Sequence, residues 1–243
     1  MMIEILVWLS AMSAMEAMEK PDAAAALTLL KEGNARFAAG TPQHPHQNRA
    51  RLRQAGTESQ GRHAFATVLS CSDSRVPVEL IFDRGVMDLF VVRVAGNICG
   101  PSEAGSIEYG LAHVHTPVLV VLGHTQCGAV TAAVHQADHE DDGLERNIPA
   151  ILRRIAPAVA QVRADAPGAD ADTLVTRAVE ENIWLSMETL FVESPAVREL
   201  VKQGKVKAVG AIYDISTGRV EWLPEERPLE ILAAVEACRT NVD

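Results

Sequence analysis

Apolar positions along this chain follow two rhythms. Between Pro21 and Gly40, Leu27, Leu30, Asn34 and Phe37 fall three or four residues apart, which predicts a helix with one buried stripe. Ala64 to Ser70, Leu89 to Val94 and, after Pro117, Val118 to Leu122 are short, largely apolar runs, the pattern of strands covered on both faces. Helical stretches separate them. Pro77 suits the first turn of one; Gly96-Asn97 breaks the second strand, and Ser102 is placed to cap a helix through Ile107, Leu111 and Val114. Gly128 to Ala137 is helical again, whereas Pro149 and Pro157 are expected to cut the following segment into short pieces. Asp172 to Val192 predicts the longest helix, and Ser194-Pro195 caps a shorter one that Gly204 ends. Val206 to Tyr213 and Arg219 to Leu223 flank Ser216-Thr217-Gly218, which predicts a hairpin, and a last helix near Leu229 to Cys238 packs across the outside.

Strands alternating with helices imply an α/β fold: a mostly parallel central sheet flanked by helices, with an antiparallel edge hairpin and an N-terminal helical arm. Thr41 to Arg62 reads as a polar link rich in His, Gln and Arg. Residues 24–224 are expected to form the principal domain, 225–243 a helical tail and 1–23 an N-terminal extension. Met1 to Ala17 reads as an amphipathic arm: with Glu4 and no Lys or Arg, it lacks the basic start of a signal peptide and the length of a membrane span. Met15 and Met18 offer later starts.

Charge narrows the choice of partner. A net charge of −10, with no cluster of Lys or Arg, argues against nucleic acid, whose phosphates demand concentrated positive charge. Cys71, Cys99, Cys127 and Cys238 are too few and too scattered for a disulfide framework in 243 residues, which fits a reducing, cytoplasmic compartment.

The chemistry-bearing residues stand where strands stop. Ligands of open α/β sheets gather beyond the carboxyl ends of strands, where adjacent connections leave in opposite directions. Cys71-Ser-Asp73-Ser-Arg75 follows the first strand and His124-Thr-Gln-Cys127 the third. A strand order of second, first, third would bring Cys71, His124 and Cys127 within reach of one ion. Two thiolates and an imidazole are donors that zinc selects, and a catalytic zinc keeps its fourth position for water or substrate. Asp73 has two readings: on the metal it closes the site, and drawn off by the planar fork of Arg75 it leaves a position free. A purely structural zinc site normally uses two close-spaced ligand pairs, and only His124 and Cys127 form one. His135 and His139, beside Asp138 and Glu140, read as a solvated helix end rather than a second metal site, and His113 and His115 likewise. Cys99 and Cys238 read as packing residues.

Taken in order, Cys71-Ser-Asp73-Ser-Arg75-Val-Pro77, the run Gly85 to Val94, Ala95-Gly96-Asn97, Gly105-Ser106-Ile107-Glu108-Tyr109 and Gly123-His124-Thr-Gln-Cys127-Gly128 resemble the motifs of the β-class carbonic anhydrases. Gly33-Asn34-Ala-Arg36-Phe37 is similar to a helix upstream in many bacterial members. The resemblance runs from Ala24 to Trp222. It implies a zinc lyase that reversibly hydrates carbon dioxide to bicarbonate with a zinc-bound hydroxide, the metal held by Cys71, His124 and Cys127. Asp73 and Arg75 are then the pair that orients the water or releases it. The resemblance also implies that Gln47 reaches a neighbouring subunit's site and bonds the substrate oxygen. Tyr109 would lie near an interface, in a homodimer or homotetramer built by exchanged N-terminal helices. Gly128 begins a helix whose amino end favours the anionic product. Two thiolates offset more of the metal's charge than imidazoles do, so activity is expected to rise on the alkaline side of neutral. Members with an extra inhibitory bicarbonate pocket carry Trp three residues before the first zinc cysteine; Val68 stands there in this chain.

Relatives of this fold hydrolyse carbonyl sulfide or carbon disulfide on the same donors, and a non-catalytic zinc-binding relative would have little use for the Asp73–Arg75 pair. A dinucleotide site fails because Gly96 and Gly100 do not make a G-x-G-x-x-G turn. Thiol redox chemistry wants a second cysteine where His124 stands.

Overall fold

The computed structural model describes residues 20–137 and 143–240. The expected arm Met1 to Ala17, and the residues Asp138, His139 and Glu140 of the expected solvated helix end, lie outside the described residues. Among the described residues five strands make one sheet: β1 (Ala66–Ser70), β2 (Leu89–Arg93), β3 (Val118–His124), β4 (Lys207–Tyr213) and β5 (Val220–Trp222). Their order across it is β2-β1-β3-β4-β5. The first four run parallel; β5 returns antiparallel to β4, with Ala211 opposite Trp222 and Tyr213 opposite Val220. Gly218 turns the hairpin at φ 75°.

The connections are filled by α1 (Ala23–Ala38), α2 (Arg49–Ala55), α3 (Val78–Ile81), α4 (Pro101–Glu108), α5 (Gly128–Gln136), α6 (Ile148–Asp165), α7 (Ala171–Glu193), α8 (Pro195–Lys202) and α9 (Arg227–Thr240). A wide π-helical turn, Tyr109–His113, prolongs α4. Every residue of β1 and β3 is buried, in keeping with their largely apolar sequences. Alternation then sorts them by face. Val68, Val118, Val120 and Leu122 pack with Leu27 and Leu30 of α1 and Ile81 of α3. Leu69, Leu119 and Val121 pack on the other face with Ile107 of α4, Ile183, Met187 and Leu190 of α7, and Leu232 of α9.

Three local expectations need correction. The segment around Pro149 and Pro157 is one helix, α6, of 18 residues. Pro149 sits in its first turn, where no N–H partner is needed, and Pro157 lies on the exposed side. An interior proline costs a helix about 3 kcal/mol. Leu152, Ile155, Val159 and Val162 are buried on the opposite face, and each contributes about 1.5–3 kcal/mol, so packing wins. Pro157→Ala is therefore expected to raise stability by about 1–2 kcal/mol, once the looser unfolded chain is allowed for. A urea midpoint that stays put or falls would show the helix to be shaped around the ring.

The second is α2, a helix inside the polar link, where the apolar pattern predicts none. Its one large apolar side chain, Leu52, is 56% exposed, so no apolar stripe announces it. Asn48 caps it by accepting from Arg51 N, and buried Arg51 pairs with Asp88 at 3.0 Å. Third, the α4 cap is Gly100 rather than Ser102: Pro101 takes the first turn, and Glu103 accepts from Gly100 N at 2.9 Å.

The topology places the site. β1 leads to β2 on one side and β3 leads to β4 on the other, so the connections part between β1 and β3. Ser70 pairs with Leu122, which ends the two strands nearly level and sets Cys71 beside the last residues of β3.

Candidate metal centre

His124 ends β3, paired with Tyr213 of β4, and Thr125 N continues the ladder to Tyr213 O at 3.0 Å. The chain must then reverse to start α5. It does so through Gln126, at φ 54°, a left-handed conformation that costs a non-glycine residue of order 1–3 kcal/mol. Gln126 O accepts from Arg75 Nη2 at 3.1 Å, which holds the turn. Cys127 is thereby the N-cap of α5, facing back toward β1.

Cys71 Sγ and Cys127 Sγ stand 4.0 Å apart, and these two sulfurs with an imidazole nitrogen of His124 all lie within 4.8 Å of one another. All three residues are buried. His124 Nδ1 donates to Thr125 O at 2.9 Å, which fixes the tautomer and leaves the Nε2 lone pair free. That Nε2 is buried without a hydrogen-bond partner among the described residues. A buried acceptor costs about 1–3 kcal/mol when unpaired, so its neighbours call for a cation. Two sulfurs and this nitrogen match the donor set and size that zinc takes, and the residues fit the ion.

The thiols are prepared unequally. Cys71 is held well below the usual thiol range, first by its hydrogen bond with Cys127, against the effect of burial, and then by the N–H groups of Asp73 and Gly96. Those N–H groups lie 3.5 and 3.3 Å from the sulfur. Cys127 is pushed up, first by Cys71 and then by burial, although the Ala129 and Val130 N–H groups of the helix terminus favour its thiolate. One proton thus leaves readily and the second resists, because two thiolates at this spacing repel. A divalent cation removes the repulsion.

Asp73 stands beside the three donors, with Oδ2 4.0 Å from His124 Nε2. Both its oxygens are engaged by Arg75: Nη2 donates to Oδ2 at 2.7 Å, while Nε and the backbone N donate to Oδ1 at 3.0 and 2.9 Å. The Arg75 guanidinium therefore holds the Asp73 carboxyl well below the usual carboxylate range. This is the second of the two dispositions open to Asp73, turned to arginine and off the donors.

Other residues singled out above fall elsewhere. Gln47 is exposed, and its amide hydrogen bond goes to Arg84 O at 3.5 Å, not to the cluster. Gly128 is the first residue of α5, with open space where a Cβ would be. Tyr109 is 51% exposed and stacks near Phe90 and His113. Cys99 is buried with its thiol pushed up to about 12 by burial, a packing residue, while Cys238 is exposed. Two neighbours went unnoticed in the sequence. Arg93, at the end of β2, clamps the Cys71 loop, Nε donating to Cys71 O at 3.0 Å and Nη2 to Asp73 O at 2.6 Å. Asn182 of α7 donates to Gly96 O at 2.7 Å. The signal for Arg93 was a charge closing an apolar strand; for Asn182 it was a polar residue on a buried helical stripe.

Known proteins share both sequence and shape with this chain. A family model described as carbonic anhydrase matches residues 66–220. Carbonic anhydrase 2 of Mycobacterium tuberculosis is 39% identical over 199 residues, covering 80% of this chain and 90% of the relative. A β-carbonic anhydrase of the fungal pathogen Aspergillus fumigatus superposes with a TM-score of 0.67 at 26% identity, covering 88% of this chain and 97% of the other. One of two tetrameric β-carbonic anhydrases of the ascomycete Sordaria macrospora gives a TM-score of 0.61 at 25% identity, covering 80% and 94%. Identity this high over four-fifths of the chain, with the same sheet beneath it, makes the chain a member of the carbonic anhydrase family, in its β class.

Proposed function

We propose that this chain reversibly hydrates carbon dioxide to bicarbonate with zinc held by Cys71, His124 and Cys127, and that Asp73 and Arg75 orient the attacking water. The observation that carries the reading is the buried, unpartnered Nε2 of His124 beside two thiols in a member of this family. Zinc, when bound, supplies a Lewis acid that makes water a nucleophile near neutral pH; the drop from pKa 15.7 to about 7 is the general figure for the three-histidine carbonic anhydrases, not one obtained from this chain. Asp73 Oδ2, on the His124 side of the carboxylate, accepts the hydrogen bond of the water and so aims its lone pair at carbon. Arg75 occupies both Asp73 oxygens, keeping that acceptor ionised and away from the sulfurs. The amino end of α5, beginning at Gly128, favours the bicarbonate anion.

Gln47 donates to the substrate oxygen across a subunit boundary in this reading, which its exposure in the single chain supports. Tyr109, half exposed, lies on the same boundary. The protein is then a homodimer or homotetramer, in keeping with the tetrameric relatives. Four free thiols suit a reducing cytoplasm.

Stopped-flow hydration assays on protein of measured zinc content test the assignment. Hydration is expected to rise from about pH 7 to about pH 9, because two thiolates leave the metal a weaker acid than three imidazoles would. A flat profile would contradict the two-thiolate argument. Sulfide release from carbonyl sulfide or carbon disulfide, outrunning hydration, would reassign the substrate.

A further inference from the structure

Gly96 is gripped at both its amide and its carbonyl. Its N–H points at Cys71 Sγ, 3.3 Å away, and its carbonyl accepts from Asn182 Nδ2 at 2.7 Å. It sits at φ 73°, and a Cβ there would lie 2.8 Å from Ile155 Cδ1 and 3.1 Å from Ala129 Cβ. Only glycine backbone passes between α5, α6 and the sulfur.

Asn182 is 1% exposed in the middle of α7, among the buried side chains of Ala178, Val179 and Ile183. Its Oδ1 has no hydrogen-bond partner among the described residues. An amide in such a place is costly, and an aliphatic side chain would pack there without that cost. The residue is thus not explained by packing: its one hydrogen bond leads to the residue that donates to a metal-site sulfur.

We infer that Asn182 is a positioning residue for the metal centre: by fixing the Gly96 carbonyl it aims the Gly96 N–H at the Cys71 sulfur, and so sets how firmly that sulfur holds zinc. The inference rests on the zinc reading of the same site. An N–H···S hydrogen bond takes up part of the thiolate's charge and fixes the direction of its remaining lone pairs. Partners at this remove from a metal typically govern its affinity by ~10–100-fold.

The test uses the intact zinc protein, the transfer of its zinc to a colorimetric chelator, and the thiolate-to-metal absorption band of the cobalt(II)-substituted form. Asn182→Leu keeps the bulk and removes the donor; it is expected to keep the parent's far-ultraviolet dichroism while releasing zinc ~10–100-fold faster, with a displaced cobalt band. Asn182→Ala gives the same metal result should leucine misfold. Leu190→Val thins the core two turns along the same helix; it is expected to melt earlier and to release zinc at the parental rate. Parental release with an unmoved band in the Asn182 variants would overturn the inference, as would equally fast release from Leu190→Val. A parent that holds no stoichiometric zinc would overturn the zinc reading itself, an outcome separate from either.

Discussion

Replacing Cys127 by alanine is expected to strip the protein of zinc and to lower carbon dioxide hydration by more than ~100-fold, the loss that even an outer partner of a metal ligand can cause. The sheet should stay folded. Cys127 lies after β3, in the cluster that packs α5 on α6 with Ile98, Val130 and Ile155, rather than among the strand side chains of either sheet face. What disappears is a sulfur placed by the strained Gln126 turn, which leaves Cys71 and His124 as two donors where zinc takes four positions. Zinc bound only to the folded state also stabilises it by mass action. A chelator should therefore lower the melting temperature of the parent and leave that of Cys127→Ala unmoved. Metal analysis, stopped-flow hydration and far-ultraviolet dichroism of the variant decide the matter. Full zinc content, or hydration within ten-fold of the parent, would remove Cys127 from the ligand set.

How much of this could be read in advance differs between strands and turns. β1 and β3 are central in a parallel sheet, so each must be apolar on both faces, and their runs stand out in any reading of the chain. Their adjacency followed from chemistry: Cys71 and His124 meet only if the strands that carry them are neighbours, and Ser70 does pair with Leu122. Periodicity failed where long-range partners outweigh local preference. α2 owes its place to Arg51, whose Nη2 reaches the buried Asp88 and whose Nε reaches Val86 O, contacts more than thirty residues away. α6 keeps Pro157 because its opposite face is buried. Within the site, the sulfur and nitrogen donors were legible because their types are rare and chemically particular. The Arg93 clamp and the Asn182 bond were not, since both act through backbone carbonyls that no side-chain motif records.

Asp73→Asn is expected to keep zinc at full stoichiometry and to lower hydration by ~100-fold, the range found when one oriented hydrogen-bonding group is taken from a reacting centre. The substitution preserves shape. It turns one acceptor into an N–H₂ group facing the Arg75 fork, which makes three hydrogen bonds to the carboxylate together with its own backbone N–H. Arg75→Lys should do less, about ten-fold, because an ammonium keeps the charge but cannot span both oxygens. The pH profile separates this role from that of a general base. Arg75 holds the Asp73 pKa below its unfolded value, so the pair's contribution is complete above the ordinary carboxylate range and is lost only as pH falls through the lower folded value. Asp73 is then ionised throughout the neutral and alkaline range, and the alkaline rise of hydration belongs to another group. Arg75→Lys, which leaves Asp73 ionised, should lower the plateau without moving the midpoint of that rise, whereas Asp73→Asn removes a negative charge beside the water and should move it to lower pH. Loss of the alkaline rise altogether in Asp73→Asn would make Asp73 the titrating base. Zinc lost in proportion to activity would make it a ligand, and a parental rate at full zinc would leave the pair without a part in catalysis.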